Sequence, residues 1–179
     1  MSYIITYTGK RVYPLEPTAD MFEIVDIAEH LSKICRYTGA CRGLYSVGQH
    51  SILVAQQLPP RLQLAGLLHD ATEAYMHDLP GPLKSAMPEY IAAEKAMARI
   101  IASHFGLDGL TDIDWEKVKD ADHRMLATEW DQLMPAGTIP EEYDCYKRFD
   151  IHIEPWTQLK AAVMFIKMFR DLTTKAQAA

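Results

Sequence analysis

The stretch QLAGLLHDATEAY, residues 63–75, decides the fold, because it has the pattern of a helix with ionisable side chains inside its apolar face. An apolar run leads directly into His69 and Asp70, and Glu73 follows within about one turn. Positions three and four residues apart lie side by side on a helix, so Glu73 is expected beside both. The sequence predicts one helix over about 61–75 that presents an imidazole and two carboxylates together.

The rest of the chain predicts further helices and one small hairpin. Alternating residues within 1–14, interrupted by the turn signal Thr8-Gly9-Lys10, predict two short strands. Apolar stripes of helical period, bounded by capping residues, glycines and prolines, predict the helices. We therefore expect an all-α fold, a mostly helical bundle with a short N-terminal β-hairpin. The predicted helices cover about 20–37, 47–58, 61–75, 88–105, 115–134 and 155–172, and the predicted loops cover 38–45, 76–86 and 135–154.

Capping residues predict where the helices begin and end. Asp20 and Ser46 are placed as N-caps of the first two helices, and Asp112 or Asp114 as the N-cap of the fifth. The last helix is expected to start near Pro155, to bury one stripe of side chains, and to fray over residues 173–179. Its predicted stripe consists of Trp156, Leu159, Val163, Ile166 and Phe169.

The composition predicts one globular domain. The chain has 179 residues, of which 49% are hydrophobic and 23% charged, so it can build a core and is too apolar to be disordered. We expect a single domain over residues 1–179. Within it, 1–19 form the extended hairpin and a linker, 20–134 the core with the motifs, and 155–172 the C-terminal helix.

Charge and targeting signals exclude several classes of protein. The net charge of −6 argues against a nonspecific nucleic-acid binder, which needs a basic surface. No apolar run reaches the roughly 18 residues of a membrane span, and the N-terminus lacks a signal-peptide layout. The three cysteines form neither an even framework nor a CxxC motif, which fits a reducing compartment. We expect a cytoplasmic protein without nucleic-acid or membrane partners.

Two more helices carry an ionisable residue in the middle of an apolar stripe. His50 lies between Val47 and Val54, and Asp122 lies in the stripe that Val118 and Met125 continue. A lone His in such a position is more often a hydrogen-bonded core residue, and a lone Asp could pair with Arg99 or Arg124. The joint occurrence with His69, Asp70 and Glu73 favours a divalent metal site, because imidazole plus carboxylate suits such an ion.

These residues resemble the H…HD…D pattern of the HD-domain metal-dependent phosphohydrolases. The resemblance covers about residues 20–134. Four segments are similar to the bacterial 5′-deoxynucleotidases: YSVGQHS (45–51), LLHDATEA (67–74), DLPGPLK (78–84) and VKDAD (118–122). The segment CRYTG (35–39) and the short chain are similar to small phage-type dATP triphosphohydrolases. The sequence departs from the pattern at His77, where relatives often have glycine, and at Gln49, where the deoxynucleotidases often have glutamate.

The resemblance implies a metal centre and a catalytic base. One divalent ion (Co, Mn or Zn, with Mg or Ni as alternatives) would be held by four ligands, and Glu73 would orient or deprotonate the attacking water. Asp120 competes with Asp122 for the last ligand, and we prefer Asp122 because it fits both the apolar stripe and the motif. The predicted ligands are His50, His69, Asp70 and Asp122.

Several side chains are candidates for substrate contacts. Arg36 and Lys84 match segments where the family binds phosphate, and Lys119 lies three residues before Asp122 on the same helical face. Each could also be a surface cation. Asp78 resembles a residue that binds sugar hydroxyls, but it could be an N-cap or turn residue. Tyr37 could stack on a base, although a core aromatic is the more usual explanation.

The predicted function is hydrolysis of a small-molecule nucleotide substrate. The enzyme would be a deoxynucleoside triphosphate triphosphohydrolase, with dATP preferred, or a 5′-deoxynucleotidase that releases inorganic phosphate. The alternatives are a noncatalytic nucleotide-binding or sensor HD domain and a structural helical domain. The resemblance implies a homo-oligomer, and the last helix could supply the contact through Trp156, Met164, Phe165 and Met168, although core packing explains these residues nearly as well.

Overall fold

The N-terminal hairpin forms as the residue alternation predicts. In the computed structural model, which describes residues 2–177 and side chains to residue 174, β1 (Ile4–Ile5) pairs antiparallel with β2 (Arg11–Val12). The connecting turn contains Gly9 at φ +86°, a conformation that glycine adopts without steric cost. Thr8 ties the hairpin to the helical body, because its backbone N–H and hydroxyl both donate to the buried Asp26 carboxylate.

Most of the rest of the described chain is helical, which confirms the predicted fold class. Short 3-10 turns lie at Ala19–Met21, Arg36–Gly39 and Pro60–Leu62. The α-helices are α1 (Ile24–Lys33), α2 (Val47–Gln56), α3 (Gln63–Leu68), α4 (Glu73–Met76), α5 (Gly81–Lys84), α6 (Pro88–His104), α7 (Asp112–Leu133), α8 (Glu141–Asp144) and α9 (Gln158–Gln177). None of these helices combines the length and the apolar composition that crossing a bilayer requires.

Helix α2 lies at the centre of the bundle and is almost entirely buried. It packs against α1, α3, α7 and α9. Two glycines allow the close approach of its neighbours. A β-carbon at Gly48 would lie 3.2 Å from the backbone N of Ser32 in α1, and one at Gly66 in α3 would overlap Leu58 and lie 3.0 Å from the Ala55 Cα. The central position of α2 places His50 in the interior.

The predicted continuous helix over 61–75 is wrong. The chain forms α3 and α4 with a tight turn at residues 69–72 between them. The turn is closed by hydrogen bonds of 3-10 type, from Ala71 N to Leu68 O and from Glu73 N to Asp70 O. The ring of His69 bonds the Gly66 carbonyl, which a regular helix would offer to the N–H of residue 70. The side chain and the backbone therefore compete for one acceptor where the ionisable residues cluster.

Two of the predicted N-caps need correction. Ser46 is the N-cap of α2, as predicted, since its side chain accepts from the Gln49 N–H. Asp20 does not cap α1, which begins at Ile24; its carboxylate accepts instead from the Thr18 hydroxyl. The N-cap of α7 is Thr111, and Asp114 is the third helical residue, which completes a capping box with it.

The first helix also ends earlier than Tyr37. It stops at Lys33, and the chain continues extended into Cys35, which pairs in a single β-bridge with Ser46. Arg36 N donates to the Tyr45 carbonyl at 2.9 Å in the same contact. This non-local pairing is invisible to the helical period of the sequence. Two predicted loops also contain one-turn helices, since α5 lies within 76–86 and α8 within 135–154.

The last helix is displaced and rotated relative to the prediction. It begins at Gln158 instead of Pro155 and continues to Gln177, so the predicted fraying is wrong up to that residue; residues 178–179 lie outside the described chain. Leu159 and Val163 are 73% and 54% exposed, whereas Ala161, Ala162 and Phe165 are buried. The two alanines let α9 pack closely on α1 and α2. Phe165 therefore belongs to the core and does not serve an oligomer surface.

Candidate metal centre

Three side chains from three elements converge at one point beside α2. His50 comes from α2, His69 from the end of α3 and Asp122 from the middle of α7. The Asp122 Oδ1 lies 3.1 Å from His50 Nε2 and 3.7 Å from His69 Nε2, and the two nitrogens are 3.4 Å apart. One ligand atom from each residue falls within 4.8 Å of the others, so this group could hold a metal ion.

Asp70 reaches the same point. Its Oδ2 lies 3.2 Å from His69 Nε2 and 3.6 Å from His50 Nε2, so the structure brings together all four predicted ligands. Asp122 is paired with the two histidines, and the alternative pairing with Arg124 is not seen. The Arg124 guanidinium lies over the Phe149 ring and 4.0 Å from Asp120, which is an exposed residue.

Hydrogen bonds on the far side of each ring fix which nitrogen faces the group. The Nδ1 of His50 lies 2.5 Å from Glu129 Oε1, and the Nδ1 of His69 lies 2.8 Å from the Gly66 carbonyl oxygen. An ionised carboxylate and a carbonyl only accept, so each Nδ1–H donates and each neutral ring presents the lone pair of Nε2. This arrangement fits a ligand set for a divalent ion.

Glu129 is a site residue that the sequence reasoning missed. It is fully buried and accepts four hydrogen bonds, from Arg36 Nε at 3.0 Å, Tyr37 OH at 2.6 Å, Tyr45 OH at 2.7 Å and the ring of His50. Burial would raise the pKa of Glu129, but Arg36 and His50 outweigh it and lower that pKa to about 2. Glu129 is seven residues after Asp122 and so lies on the same face of α7; extending that stripe by one turn would have found it.

The charges of the four predicted ligands strongly shift one another's pKa values. Burial acts to lower the pKa of His69, but the nearby carboxylates of Asp70 and Asp122 outweigh it and hold that pKa well above its usual value. Burial acts to raise the pKa of Asp122, yet His50 and His69 hold it well below its usual value. A divalent cation could replace the protons that these carboxylates hold on the imidazoles. Metal affinity is therefore expected to fall as the pH falls.

Glu73 lies at the start of α4 and has the opposite character to Glu129. It is only 9% exposed, and its Oε2 has no hydrogen-bond partner. Burial, then the negative charges of Asp70 and Asp78, raise the pKa of Glu73 well above its usual value. An unpartnered buried carboxylate next to a candidate metal centre is suited to exchange a proton with a water or a substrate.

The predicted substrate residues fall into two groups. Arg36 is buried, with its Nη1 3.8 Å from Asp70 Oδ2, and Tyr37 donates to Glu129, so both lie against the site. Lys119 is exposed and lines a cavity beside His69 and Asp122.

Lys84, in contrast, forms an ion pair with Glu94 at 2.6 Å. Asp78 is half-buried, and burial raises its pKa. It caps no helix, because the N-cap of α5 is Pro80. The residue before it, His77, has φ +74° and ψ 156°, a conformation found almost only in glycine.

A cavity of about 370 Å³ opens from the metal group towards α6 and α7. His69 and Asp122 form one end, and the exposed Arg99 and Lys119 also line it. Its walls are mostly hydrocarbon, with the half-buried indole of Trp115 offering an aromatic face. The apolar lining consists of Leu68, Ala71, Ala98, Ile101, Ala102, Leu107, Trp115 and Val118. The cavity is large enough for a small organic group.

Gln49 has a structural role away from the ligand atoms. Its amide accepts from the Trp156 N–H at 2.8 Å and donates to the Glu154 carbonyl at 2.9 Å. It therefore fastens the segment before α9 to the central helix. Both ends of the Gln49 amide are thus engaged by the backbone before α9.

Comparison with known proteins identifies relatives that cover most of the chain. The chain is 42% identical over 177 residues to the uncharacterized protein YfdR of Escherichia coli (strain K12), which covers 97% of both chains. It is also 32% identical over 148 residues to the uncharacterized protein RCAP_rcc00048 of Rhodobacter capsulatus, covering 76% of this chain and 74% of that protein. No family model matches the chain. The identity and the coverage show that the chain belongs to the same protein family as YfdR.

Proposed function

We propose that this protein is an HD-type, divalent-metal-dependent phosphohydrolase that acts on deoxynucleotides. The reaction is attack of water on the 5′ phosphoester of a deoxynucleoside triphosphate, with dATP preferred, or of a deoxynucleoside monophosphate. The observation that carries the proposal is the convergence of His50, His69, Asp70 and Asp122 beside an unpartnered, buried Glu73.

The donor set supports one divalent ion held by these four side chains. Two imidazoles and two carboxylates suit Co, Mn or Zn, with Mg or Ni as alternatives, and they leave coordination positions for water and substrate. Such an ion lowers the pKa of its water and polarises a phosphoryl oxygen. Burial raises the pKa of Glu73, so this side chain can hold or release a proton beside Asp70.

Cations and the cavity support a phosphate ester of an organic alcohol. The Arg36 guanidinium is held by Glu129 next to Asp70, where it can neutralise a phosphoryl oxygen. Lys119 lies at the cavity on the other side of the ligands, where further phosphates or the organic group could lie. The predicted cations Arg36, Lys84 and Lys119 would suit a longer phosphate chain, but this argument for the triphosphate is modest, because Lys84 is paired with Glu94 and Arg36 with Glu129.

The test is a hydrolysis panel of all deoxynucleoside mono- and triphosphates with Co, Mn, Zn or Mg, read by phosphorus NMR. Tripolyphosphate from a triphosphate would establish the triphosphohydrolase, and inorganic phosphate from monophosphates would establish the 5′-deoxynucleotidase. Nucleotide binding without turnover in any metal would replace the proposal by the sensor alternative. If His50→Ala leaves both metal content and hydrolysis intact, the proposal fails.

A further inference from the structure

Two thiols lie against each other at the ends of the loop that carries Arg36. The Sγ atoms of Cys35 and Cys41 are 3.6 Å apart, although neither residue belongs to the metal group. Cys35 is half-buried and Cys41 is 7% exposed. The remaining cysteine, Cys145, is exposed at the end of α8. The chain thus holds one close thiol pair and one separate thiol.

The backbone anchors both ends of this loop, so the thiols are held face to face. At the first end, Cys35 pairs with Ser46 in the β-bridge. At the other end, Arg42 N donates to the Leu133 carbonyl of α7 at 2.8 Å. Between the ends, Tyr37 and Thr38 have φ values of 55° and 51°, a left-handed conformation that side-chain-bearing residues rarely adopt. The loop is compact, strained and fixed at its ends.

We propose that Cys35 and Cys41 form a redox-active dithiol, which a hydroperoxide converts into an intramolecular disulfide that clamps the loop carrying Arg36 and Tyr37. This proposal does not depend on the proposed hydrolytic function, so each of the two can be tested without the other. The exposed Cys145 takes no part, because its thiol has neither the neighbour nor the fixed backbone of the pair.

The two thiols have different roles in the reaction. The more accessible Cys35 meets the oxidant first, and its thiolate attacks the O–O bond, which gives a sulfenic acid and releases an alcohol or water. The Cys41 sulfur then attacks the sulfenic sulfur; the S–S bond forms, the S–O bond breaks and water leaves. Two thiols lose two electrons and two protons, and one hydroperoxide is reduced. Burial raises the pKa of the Cys41 thiol, so Cys41 is the poorer first target of the oxidant.

We expect closure of the disulfide to move the loop. An S–S bond is about 2.05 Å long, so the sulfurs approach each other by roughly 1.5 Å from their present 3.6 Å. Arg36 follows Cys35 directly, and both Arg36 and Tyr37 donate to Glu129. Glu129 in turn holds the His50 ring, so hydrogen bonds connect the loop to one residue of the candidate metal centre.

The first test is peptide mapping of the Cys145→Ser chain after treatment with hydrogen peroxide and alkylation. We expect a linked pair of peptides containing Cys35 and Cys41, lighter by two hydrogens, that dithiothreitol restores to two alkylatable thiols. Two thiols that stay alkylatable, or sulfinic acids without a link, would overturn the proposal. In Cys41→Ser, a sulfenic acid should accumulate at Cys35 and react with dimedone, whereas in Cys35→Ser the thiol of Cys41 should stay reduced.

The second test asks whether the disulfide moves the loop. The Trp130 ring lies 5.2 Å from the Tyr37 ring, so its indole N–H signal in NMR reports on the loop, while Trp115 in the cavity wall is the reference. Oxidation of the Cys145→Ser chain should shift the Trp130 signal and leave the Trp115 signal in place. A disulfide that shifts neither signal would overturn the clamping of the loop. Neither measurement requires nucleotide hydrolysis.

Discussion

Two buried glutamates lie near the candidate metal centre, and they differ in almost every respect except burial. Glu129 accepts hydrogen bonds from Arg36, Tyr37, Tyr45 and His50, and its pKa is lowered to about 2. Glu73 leaves one carboxylate oxygen without a partner, and burial raises its pKa. The first carboxylate is an ionised structural anchor, whereas the second is poised to exchange a proton.

The difference indicates that one glutamate positions a metal ligand, whereas the other is available for proton transfer. A fully satisfied buried charge resists change, because removing any partner leaves a desolvated group unpaired. A buried carboxylate without partners costs stability in the folded state, which is common at functional sites. Substitution of Glu73 should therefore lower activity without lowering stability, whereas substitution of Glu129 should lower both stability and metal affinity.

The largest effect is expected for the turnover of Glu73→Gln. If Glu73 is the general base, the substitution lowers kcat by about 10²–10⁴-fold, because the proton acceptor is lost. Metal content should be unchanged, since Glu73 belongs to no ligand pair. The free energy of unfolding should stay constant or rise slightly, because an unpartnered charge is removed. Full turnover in Glu73→Gln would show that Glu73 is not the general base.

The next effect is a loss of stability and of metal affinity in Glu129→Gln. The substitution leaves the buried Arg36 without its nearest counter-charge, so we expect the unfolding free energy to fall by about 3–5 kcal/mol. Metal affinity should fall by about 10–100-fold, because glutamine offers only one acceptor oxygen to the four donors around Glu129 and the His50 ring loses its carboxylate partner. Urea unfolding and metal titration measure these quantities.

A milder variant covers the case in which Glu129→Gln does not fold. Tyr45→Phe removes one of the four hydrogen bonds to Glu129 and should cost about 1–3 kcal/mol while keeping the ion pair with Arg36. If neither variant loses stability or metal affinity, Glu129 is not the anchor described here.

The dependence of stability on pH separates the two glutamates in the metal-free chain. The pKa of Glu129 is lowered on folding, so its stabilisation of about 3 kcal/mol is present above the unfolded pKa of about 4.3 and is lost as the pH falls towards 2. The pKa of Glu73 is raised, so its contribution is present below about pH 4.3 and is lost as the pH rises through the folded value. The unfolding free energy should therefore be measured against pH. In Glu73→Gln, it should fall less as the pH rises above about 4.3, and it should fall as in the unaltered chain when the pH drops towards 2. The opposite pattern would reverse the two assignments.

The smallest effects concern backbone strain beside each glutamate. His77 ends the helix that begins with Glu73, and Thr38 lies in the loop that holds Arg36 and Tyr37 on Glu129; both have positive φ. His77→Gly should stabilise the fold by about 1 kcal/mol after the entropic cost of glycine, and Thr38→Gly by less, since its left-handed conformation is less costly. Thermal unfolding of the two variants measures the order, and a loss of stability in His77→Gly would contradict the strain.

The metal group was predictable from the sequence because its members interrupt apolar stripes. His50 and Asp122 lie where the helical period requires a hydrophobic residue, and such positions need a partner or an ion. Glu129 was missed because the stripe was followed only as far as Met125. The pairing of Lys84 with Glu94 was missed because local spacing alone does not establish contacts between side chains.

The fold class was predictable, but several boundaries depend on contacts that the sequence pattern does not show. The break between α3 and α4 arises because the His69 ring bonds the Gly66 carbonyl. Helix α1 ends early because Cys35 pairs with Ser46. The face of α9 was mispredicted because its buried side is chosen by Ala161 and Ala162, whose small size allows close packing and carries little weight in a hydrophobic pattern.

The most direct test of the account is the metal stoichiometry of Asp122→Ala beside its matched control Asp120→Ala. Asp120 lies on the same helix two residues away, but it is exposed and faces Arg124, whereas Asp122 lies 3.1 Å from the His50 ring. Titration with Mn or Co should give one ion per chain for the unaltered protein and for Asp120→Ala, and a large loss of binding for Asp122→Ala. Equal binding by the two variants, or loss in Asp120→Ala alone, would contradict a metal centre at His50, His69 and Asp122.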